Sequence, residues 1–240
     1  MNGTDRFKFW YEPQDSPVWA DLHILEANQD FLLSASNIPD ALGHGYKSTM
    51  ELYQLYIGEK TSNIDPFLEQ ILEHGKKQEP NALKDWLSKH PMFGGIQPGF
   101  LYSKQYSWLG CSLDHICLKN YEALDFKFPT QNSLLNLEIK CPFTGKIPQD
   151  ISQVKVNHVI QTQYQMFCSG ITESCLYYYT PGLQSGWHIK KDDEFIKHTL
   201  PLLKEFKNCV LTKKPPERGY FKRKSKPFVN EMMKKVKIFK

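Results

Sequence analysis

The sequence predicts an α/β protein in which helices flank a central mixed β-sheet. Two observations support this class. Several long segments carry apolar residues at intervals of three and four, which is typical of amphipathic helices. Short apolar runs lie between and after these segments and are bounded by glycine and proline, which is typical of strands. Packing the helices against the faces of a sheet buries the apolar surfaces of both.

Four segments have the helical pattern, with polar residues on the face that solvent would contact. They are residues 48–58, 65–90, 151–169 and 193–210. A fifth, short helix is predicted to follow Ser36, whose hydroxyl suits an N-cap, and to end at Gly43.

Four other segments have the strand pattern, and two of them carry charged residues. They are residues 108–118, a strand or tight hairpin arm, and residues 134–140, 175–179 and 186–189. Side chains alternate along a strand, so Glu138 and Lys140 point to one face and Ile139 to the other. Asp114 lies among apolar residues, where an unpaired carboxylate is costly to desolvate, and a cationic group is therefore expected nearby.

An aspartate, a glutamate and a lysine that meet at strand ends suit metal-assisted hydrolysis of a phosphodiester. Asp114 and Glu138 offer hard oxygen ligands of the kind that Mg²⁺ or Mn²⁺ prefers. Lys140 would balance the carboxylates and orient or deprotonate the attacking water. The alternative, from these residues alone, is a surface strand with a Glu/Lys pair, which is the usual meaning of an E-x-K pattern.

The surrounding motifs resemble those of a known nuclease family. Asp114 followed by Glu138-Ile139-Lys140 matches the D…E-x-K signature of the restriction-endonuclease-like nucleases. Residues 137–144, Leu-Glu-Ile-Lys-Cys-Pro-Phe-Thr, resemble the corresponding string of the phage lambda type exonucleases, the YqaJ-like viral recombinases or alkaline exonucleases of the PD-(D/E)xK group. Further matches occur in the family's order at residues 34–36, 75–79 and 161–164, so the resemblance spans about residues 33–181. An ordered set of motifs is more specific than any single one.

The resemblance implies a restriction-endonuclease-like core and a Mg²⁺-dependent deoxyribonuclease in which Mn²⁺ may substitute. It implies an exonuclease that degrades one strand of duplex DNA from its 5′ end and leaves 3′ single-stranded tails for viral or phage recombination or genome processing. By the motif matches, the metal ligands would be Asp114, Glu138, Glu79 and the backbone carbonyl of Ile139, and the catalytic set would add Lys140 and Gln161. Its implied partners are duplex DNA ends, a single-strand annealing protein and further copies of the chain in a trimeric ring.

The chain departs from the family pattern at two places. The family usually has Pro-Asp-Gly around the aspartate, whereas Leu113 and His115 flank Asp114 here. In the family, the Ser-Ala-Ser element is followed by basic residues that receive the 5′ phosphate of the DNA end, and by this resemblance Ser34 and Ser36 are candidate DNA-binding residues. No arginine follows them, and Lys47 is the nearest cation in register, with a plain solvated lysine as the alternative.

Composition bounds the class of protein. The chain has 240 residues, 40% of them hydrophobic, which is enough for one large domain with a buried core. Its mean hydropathy is −0.50, no apolar run approaches the roughly 18 residues of a membrane span, and the polar N-terminus does not resemble a signal peptide. We therefore expect no membrane association and an intracellular location, in host cytoplasm or nucleus if the protein is viral. The six cysteines form no C-x-x-C pair, so reduced, mostly buried thiols are expected.

Positive charge is concentrated near the C-terminus. Residues 211–240 carry eleven lysines and arginines against two glutamates, so the rest of the chain is net negative. Aromatic residues interleave with these cations, as in segments that follow a nucleic-acid backbone. We expect residues 1–210 to form one nuclease domain with an N-terminal aromatic arm, and residues 211–240 to form a basic tail. The candidate DNA-binding residues of the tail are Lys213, Lys214, Arg218, Lys222, Arg223 and Lys224.

Other functions remain open at this level. The tail has a second interpretation as a solvated terminus or a nuclear-import-like run. The chain as a whole has a second interpretation as a DNA-binding module that keeps the fold but has lost catalysis, and an endonuclease of the same fold is a third. Exonuclease polarity rests on the resemblance alone.

Overall fold

The computed structural model describes residues 31–61, 65–103, 105–119 and 133–239, and it confirms the α/β class. The helices are α1 (Ile38–Ala41), α2 (Thr49–Tyr56), α3 (Pro66–Lys89), α4 (Val156–Ser169), α5 (Asp193–Leu211) and α6 (Tyr220–Met233). The strands are β1 (Leu33–Ser34), β2 (Phe93–Ile96), β3 (Phe100–Tyr102), β4 (Leu109–Ser112), β5 (His115–Lys119), β6 (Leu134–Lys140), β7 (Glu173–Thr180), β8 (Leu183–Lys190) and β9 (Lys237–Ile238). The predicted aromatic arm lies outside the described residues.

A six-stranded sheet forms the centre of the molecule in the order β2-β5-β6-β7-β8-β9. Strands β6 and β7 are parallel and the other neighbours are antiparallel, so the sheet is mixed as predicted. A second sheet has the order β1-β4-β3. The segment 108–118 is therefore not one strand or hairpin arm, because the chain turns at Asp114 and its two halves, β4 and β5, join different sheets.

The alternation of side chains along β6 divides the core in two. Leu135, Leu137 and Ile139 face α3, where they pack with Ala82 and Trp86. The opposite face of the sheet meets the larger apolar cluster, to which α1, α2, α4, α5 and α6 contribute. Strand β6 is buried along most of its length because helices cover both faces of the sheet, and the face opposite Leu135, Leu137 and Ile139 carries the buried polar residues Asn136 and Glu138.

The basic C-terminal segment is part of this core and not an appended tail, which corrects the predicted boundary at residue 210. Phe221, Ser225, Val229 and Met232 are buried along one side of α6 at helical spacing. Strand β9 then pairs with β8 at the edge of the central sheet. The packing of this apolar stripe was not predicted, because the many cations dominate the composition of the segment. Its charged residues lie on the outer face of a packed helix.

Within the described residues, no helix has both the length and the apolar character that crossing a bilayer requires. Four of the six cysteines are buried, as expected for thiols that serve as small apolar side chains. The short helix α1 begins one residue later than predicted, with Asn37 in place of Ser36 at the N-cap.

Candidate active site

The structure brings Asp114, Glu138 and Lys140 together where β4 ends and β6 nears its C-terminal end. Because β5 runs antiparallel to β6, with His115 opposite Leu137, the turn that carries Asp114 lies beside Glu138. The backbone N–H of Ile139 donates to Oδ2 of Asp114 over 2.7 Å. The convergence that the sequence suggested is thus set by strand register and by one backbone hydrogen bond.

Glu138 is the most enclosed charged group of this cluster, at 1% exposure. Its Oε1 accepts hydrogen bonds from Nζ of Lys140 at 2.5 Å and from Nε2 of Gln161 at 2.8 Å. Its Oε2 accepts from Nε2 of Gln165 at 2.6 Å. A buried carboxylate needs this many donors to offset its lost hydration.

Burial and neighbouring charges shift the pKa values of Asp114 and Lys140. Burial and the charge of Glu138 raise the pKa of Asp114 well above its ordinary value, and Lys140 offsets only part of this. Burial acts to lower the pKa of Lys140, but the charges of Glu138 and Asp114 outweigh it and raise that pKa above its ordinary value. Lys140 therefore holds its proton, and the cluster retains an excess of acceptor groups over positive charge.

Two further residues from the motif matches lie near this cluster. Burial and then the charge of Glu79, on α3, raise the pKa of Cys141, and Glu79 also adds to the raised pKa of Asp114 after burial and the charge of Glu138. Gln161, on α4, accepts from Lys140 at 3.4 Å while it donates to Glu138. The amide of Gln161 therefore bridges the two groups by donating and accepting at once.

Gln163, two residues after Gln161 on α4, points away from the cluster. Its amide nitrogen donates to the carbonyl oxygen of Lys190 at 2.9 Å, and its oxygen accepts from the backbone N–H of Asp192 at 2.8 Å. Gln163 thus ties α4 to the segment after β8, and its contacts are structural.

Gln165, one helical turn after Gln161 on α4, is a site residue that the motif matches do not include. It is fully buried, and its amide nitrogen donates to the carbonyl oxygen of Ser112 as well as to Glu138. Asn136, two residues before Glu138 on the same face of β6, donates from its side-chain Nδ2 to the side-chain Oε1 of Gln165 at 3.0 Å. The feature of the sequence that could have indicated this contact is Asn136, a polar residue two positions before Glu138 in an apolar strand.

The donors and acceptors in the chain of hydrogen bonds from Asn136 through Gln165 to Glu138 can be arranged in only one way. The Glu138 carboxylate only accepts, so Gln165 must turn its NH₂ group toward it, and Asn136 must then donate to the Gln165 oxygen. The Asn136 Oδ1 atom is left buried without a hydrogen-bond partner in the part of the chain that the structure describes. Leaving a buried acceptor unpaired costs about 1–3 kcal/mol, so the network orients Glu138 at the expense of stability.

The residues predicted to contact DNA lie in two groups. Ser34 and Ser36 share a 2.8 Å hydrogen bond between their hydroxyls, and β1 pairs with β4, the strand that leads to Asp114. Lys47 lies in the loop 43–48 and forms an ion pair with buried Asp40 at 3.7 Å. Lys47 is 46% exposed at its side chain, so it keeps a charged surface beside that pair.

Helix α6 brings its cations to the same loop. His44 Nε2 and Ser225 Oγ are 2.9 Å apart, and burial, with the charges of Lys222 and Lys226, lowers the pKa of His44 to about 4. Lys222 and Lys226 are exposed on the outer face of α6. The remaining predicted cations of the segment are also exposed, and Arg223 is paired with Glu217 at 2.7 Å.

The donor set fits a hard divalent cation held partly by water or substrate. Among the described residues, no group of three or more His, Cys, Asp and Glu side chains converges closely enough to hold an ion unaided. Asp114, which is partly buried, and Glu138, which is fully buried, nevertheless supply two carboxylates, with Lys140 as the adjacent positive charge. Mg²⁺ is commonly bound by one or two carboxylates together with waters and substrate phosphates.

Comparisons with known proteins bear on the fold and on the family of the chain. In solved structures, the chain is similar to the alkaline exonuclease LHK-Exo from Laribacter hongkongensis, with a TM-score of 0.58 and 19% identity over 85% of this chain and 98% of that chain. This likeness confirms the predicted restriction-endonuclease-like fold. LHK-Exo in complex with dAMP gives a TM-score of 0.49 at 18% identity, over 87% of this chain and 94% of that one. A phage related exonuclease from Haemophilus somnus 129PT gives 0.48 at 10%, over 84% and 96%.

No curated protein matches the chain. The model of the YqaJ-like viral recombinase domain matches residues 24–172, which is more than half of the sequence and includes every residue of the charged cluster. The match ends before β7, so the basic helix α6 lies beyond it. The chain belongs to the YqaJ-like viral recombinase domain family.

Proposed function

We propose that this protein is a Mg²⁺-dependent deoxyribonuclease that resects one strand of double-stranded DNA from its 5′ end and leaves 3′ single-stranded tails for viral or phage recombination. The observation that carries the proposal is the convergence of Asp114, Glu138 and Lys140, in which the Ile139 N–H holds Asp114 and Lys140 donates to buried Glu138. Membership of a recombinase family supports DNA as the substrate. The 5′ polarity follows from the family resemblance.

The residues have distinct roles in this proposal. Asp114, Glu138 and the Ile139 carbonyl, with Glu79 nearby, would hold the divalent ion, which supplies Lewis-acid stabilisation of the charge on the phosphate. Lys140 keeps its proton and orients the attacking water by donating to it. Gln161 bridges Lys140 and Glu138, and so holds their separation while substrate enters.

One experiment separates this proposal from its alternatives. Purified protein is incubated with linear duplex DNA labelled at either the 5′ or the 3′ end, and with closed circular duplex, each with Mg²⁺ and with EDTA. We expect 5′-labelled mononucleotides to appear first, in Mg²⁺ only, and the circle to survive. Nicking of the circle would indicate an endonuclease. A shift of the DNA with no released nucleotides would indicate a binding module.

The amide network around Glu138 gives a prediction about metal affinity. Gln165→Met keeps the volume but removes both donated hydrogen bonds, so the Glu138 carboxylate loses an orienting partner. We expect Mg²⁺ binding, measured by calorimetry, to weaken about 10- to 100-fold, the usual cost of losing a residue that orients a ligand.

The matched control is Gln163→Met, on the same helix and also buried, which breaks bonds to the chain near Lys190. It should lower the melting temperature and leave the metal affinity unchanged. Equal metal affinities for the two variants would mean that Gln165 does not orient Glu138.

The cations of α6 give a prediction about duplex binding. Deleting the segment would remove buried Phe221 and Val229 and unfold part of the core, so the test uses substitutions. Lys222→Gln with Lys226→Gln should flatten the slope of log affinity against log salt by about 1–2 units, since each phosphate contact contributes about 0.9.

The control pair is Lys234→Gln with Lys237→Gln, which removes the same charge at the other end of the segment. Its slope should stay closer to that of the unmodified protein. A fall of the same size in both pairs would point to net charge alone, and no fall in either would remove α6 from the DNA interface.

A further inference from the structure

Tyr46 presents an exposed aromatic ring close to the candidate active site. It is 74% exposed, more than any other large hydrophobic residue among those that the structure describes. It lies in the loop 43–48, the same loop that Lys222 and Lys226 of α6 approach through His44.

The hydroxyl of Tyr46 is tied to buried groups although the ring is exposed. It bonds Nε2 of His158 at 3.1 Å, and Nδ1 of His158 bonds the hydroxyl of Tyr178 at 2.8 Å. His158 is itself buried, and burial lowers its pKa well below the ordinary value, so a neutral ring links the two tyrosines. An exposed ring with an anchored tip is held in place before any ligand arrives.

The anchor places the ring next to the catalytic cluster. His158 is three residues before Gln161 on α4, about one helical turn away on the same side. Tyr178 lies opposite Lys140 in the register between β6 and β7. Two hydrogen bonds and one strand pairing therefore connect Tyr46 to Lys140.

Positive charge flanks the ring. Nζ of Lys155 lies 3.3 Å from the Tyr46 hydroxyl and 5.4 Å from the centre of its ring. Lys47 follows Tyr46 directly and is half-exposed. An exposed aromatic ring with one lysine at its hydroxyl and another on the next residue suits a nucleotide, whose base stacks while its phosphates meet the lysines.

A purely structural role, in which the Tyr46 hydroxyl links the loop 43–48 to His158 of α4, would explain the hydrogen bond. It would not explain why the ring is exposed. Paired bases inside a duplex hide their faces, so only an unpaired base can stack on an exposed side chain. We propose that Tyr46 is a stacking platform for an unpaired base of the DNA strand beside the active site, with Lys47 and Lys155 contacting its neighbouring phosphates. This inference rests on the proposed nuclease function.

The test measures stacking without cleavage. Single-stranded oligonucleotides carrying 2-aminopurine at successive positions from the 5′ end are titrated with protein in EDTA, because stacking quenches the fluorescence of that base. We expect quenching at one position near the end. Tyr46→Leu should abolish it and weaken binding about tenfold, within the range reported for losing a base–aromatic stack.

Tyr46→Phe separates the ring from the hydroxyl. Tyr46→Phe should keep the quenching and bind the oligonucleotide within about threefold of the unmodified protein. A purely structural role of the hydroxyl predicts instead that Tyr46→Phe weakens binding as much as Tyr46→Leu. An abasic nucleotide at the quenched position should weaken binding to the unmodified protein and have no effect on Tyr46→Leu. The proposal that Tyr46 stacks on a base would be overturned if Tyr46→Phe bound as weakly as Tyr46→Leu. It would also be overturned if Tyr46→Leu still quenched the fluorescence.

Thermal unfolding of each variant checks that the loop still folds. Because the assay contains no divalent ion, stacking without any nuclease activity in the labelled-duplex experiment would leave this inference standing and remove the proposed function. Cleavage without stacking at Tyr46 would do the reverse.

Discussion

Glu138→Gln is expected to reduce DNA cleavage by at least about 100-fold while DNA binding persists, and Asp114→Asn should act in the same way. Each change removes a charged oxygen ligand without changing side-chain shape, and even residues that only orient such ligands cost about 10- to 100-fold. Glu138 accepts from three donors, Lys140, Gln161 and Gln165. A glutamine there would set an NH₂ group against at least one of them, so we also expect a stability loss of about 1–3 kcal/mol.

Single-turnover cleavage of end-labelled duplex measures the rate, and a gel shift in EDTA measures binding. Glu194→Gln serves as the control, because it removes the same charge from an exposed position on α5. That variant should cleave at the unmodified rate. Retention of more than a few per cent of the rate by Glu138→Gln would rule out the assignment of Glu138 as a metal ligand.

Lys140→Met is expected to be as damaging to cleavage as the loss of either carboxylate. It removes the ammonium that donates to Glu138 over 2.5 Å and leaves buried Glu138 and partly buried Asp114 without their nearest positive charge. The variant should therefore also be less stable than the unmodified protein at neutral pH.

The pH dependence of that stability loss has a defined sign. Burial raises the pKa of Asp114, and without Lys140 it should rise further, so the carboxyl group takes up a proton more readily as pH falls. The destabilisation by Lys140→Met should consequently shrink toward acid pH. Melting temperatures of both proteins across a pH series measure this, and a difference that stays constant would argue against charge compensation. Partial recovery of cleavage at high pH would support a role for Lys140 on the attacking water.

Much of the fold was predictable because long helices and buried strands leave strong periodic signals. Strand β6 has the predicted bounds, and α3 and α5 begin and end within a residue of prediction. The segment 108–118 was harder, since a turn at Asp114 without proline or glycine leaves no local sign that β4 and β5 separate into two sheets. The packing of α6 was missed because its apolar stripe is sparse among lysines.

The candidate site was predictable where a motif fixed the residues, as for Asp114, Glu138 and Lys140. It was not predictable where a contact depends on tertiary structure. Gln165 reaches Glu138 only because α4 crosses the face of β6, and Asp40 lies beside Lys47 only because the loop 43–48 folds back on α1. Neither relation has a fixed spacing in the sequence.

The parallel pairing of β6 with β7 bears on how quickly the chain reaches its native state. Parallel neighbours cannot be joined by a tight turn, so the pairing of β6 with β7 must close the long connection that contains α4. The pairing of β1 with β4 also joins residues about 75 positions apart, Leu33 with Leu109. The entropy of closing such long loops is lost before the contacts between their ends stabilise the chain. Contacts of this kind are typical of domains that refold in milliseconds to seconds. Refolding from denaturant should be slow, and nuclease activity should return only with its final phase.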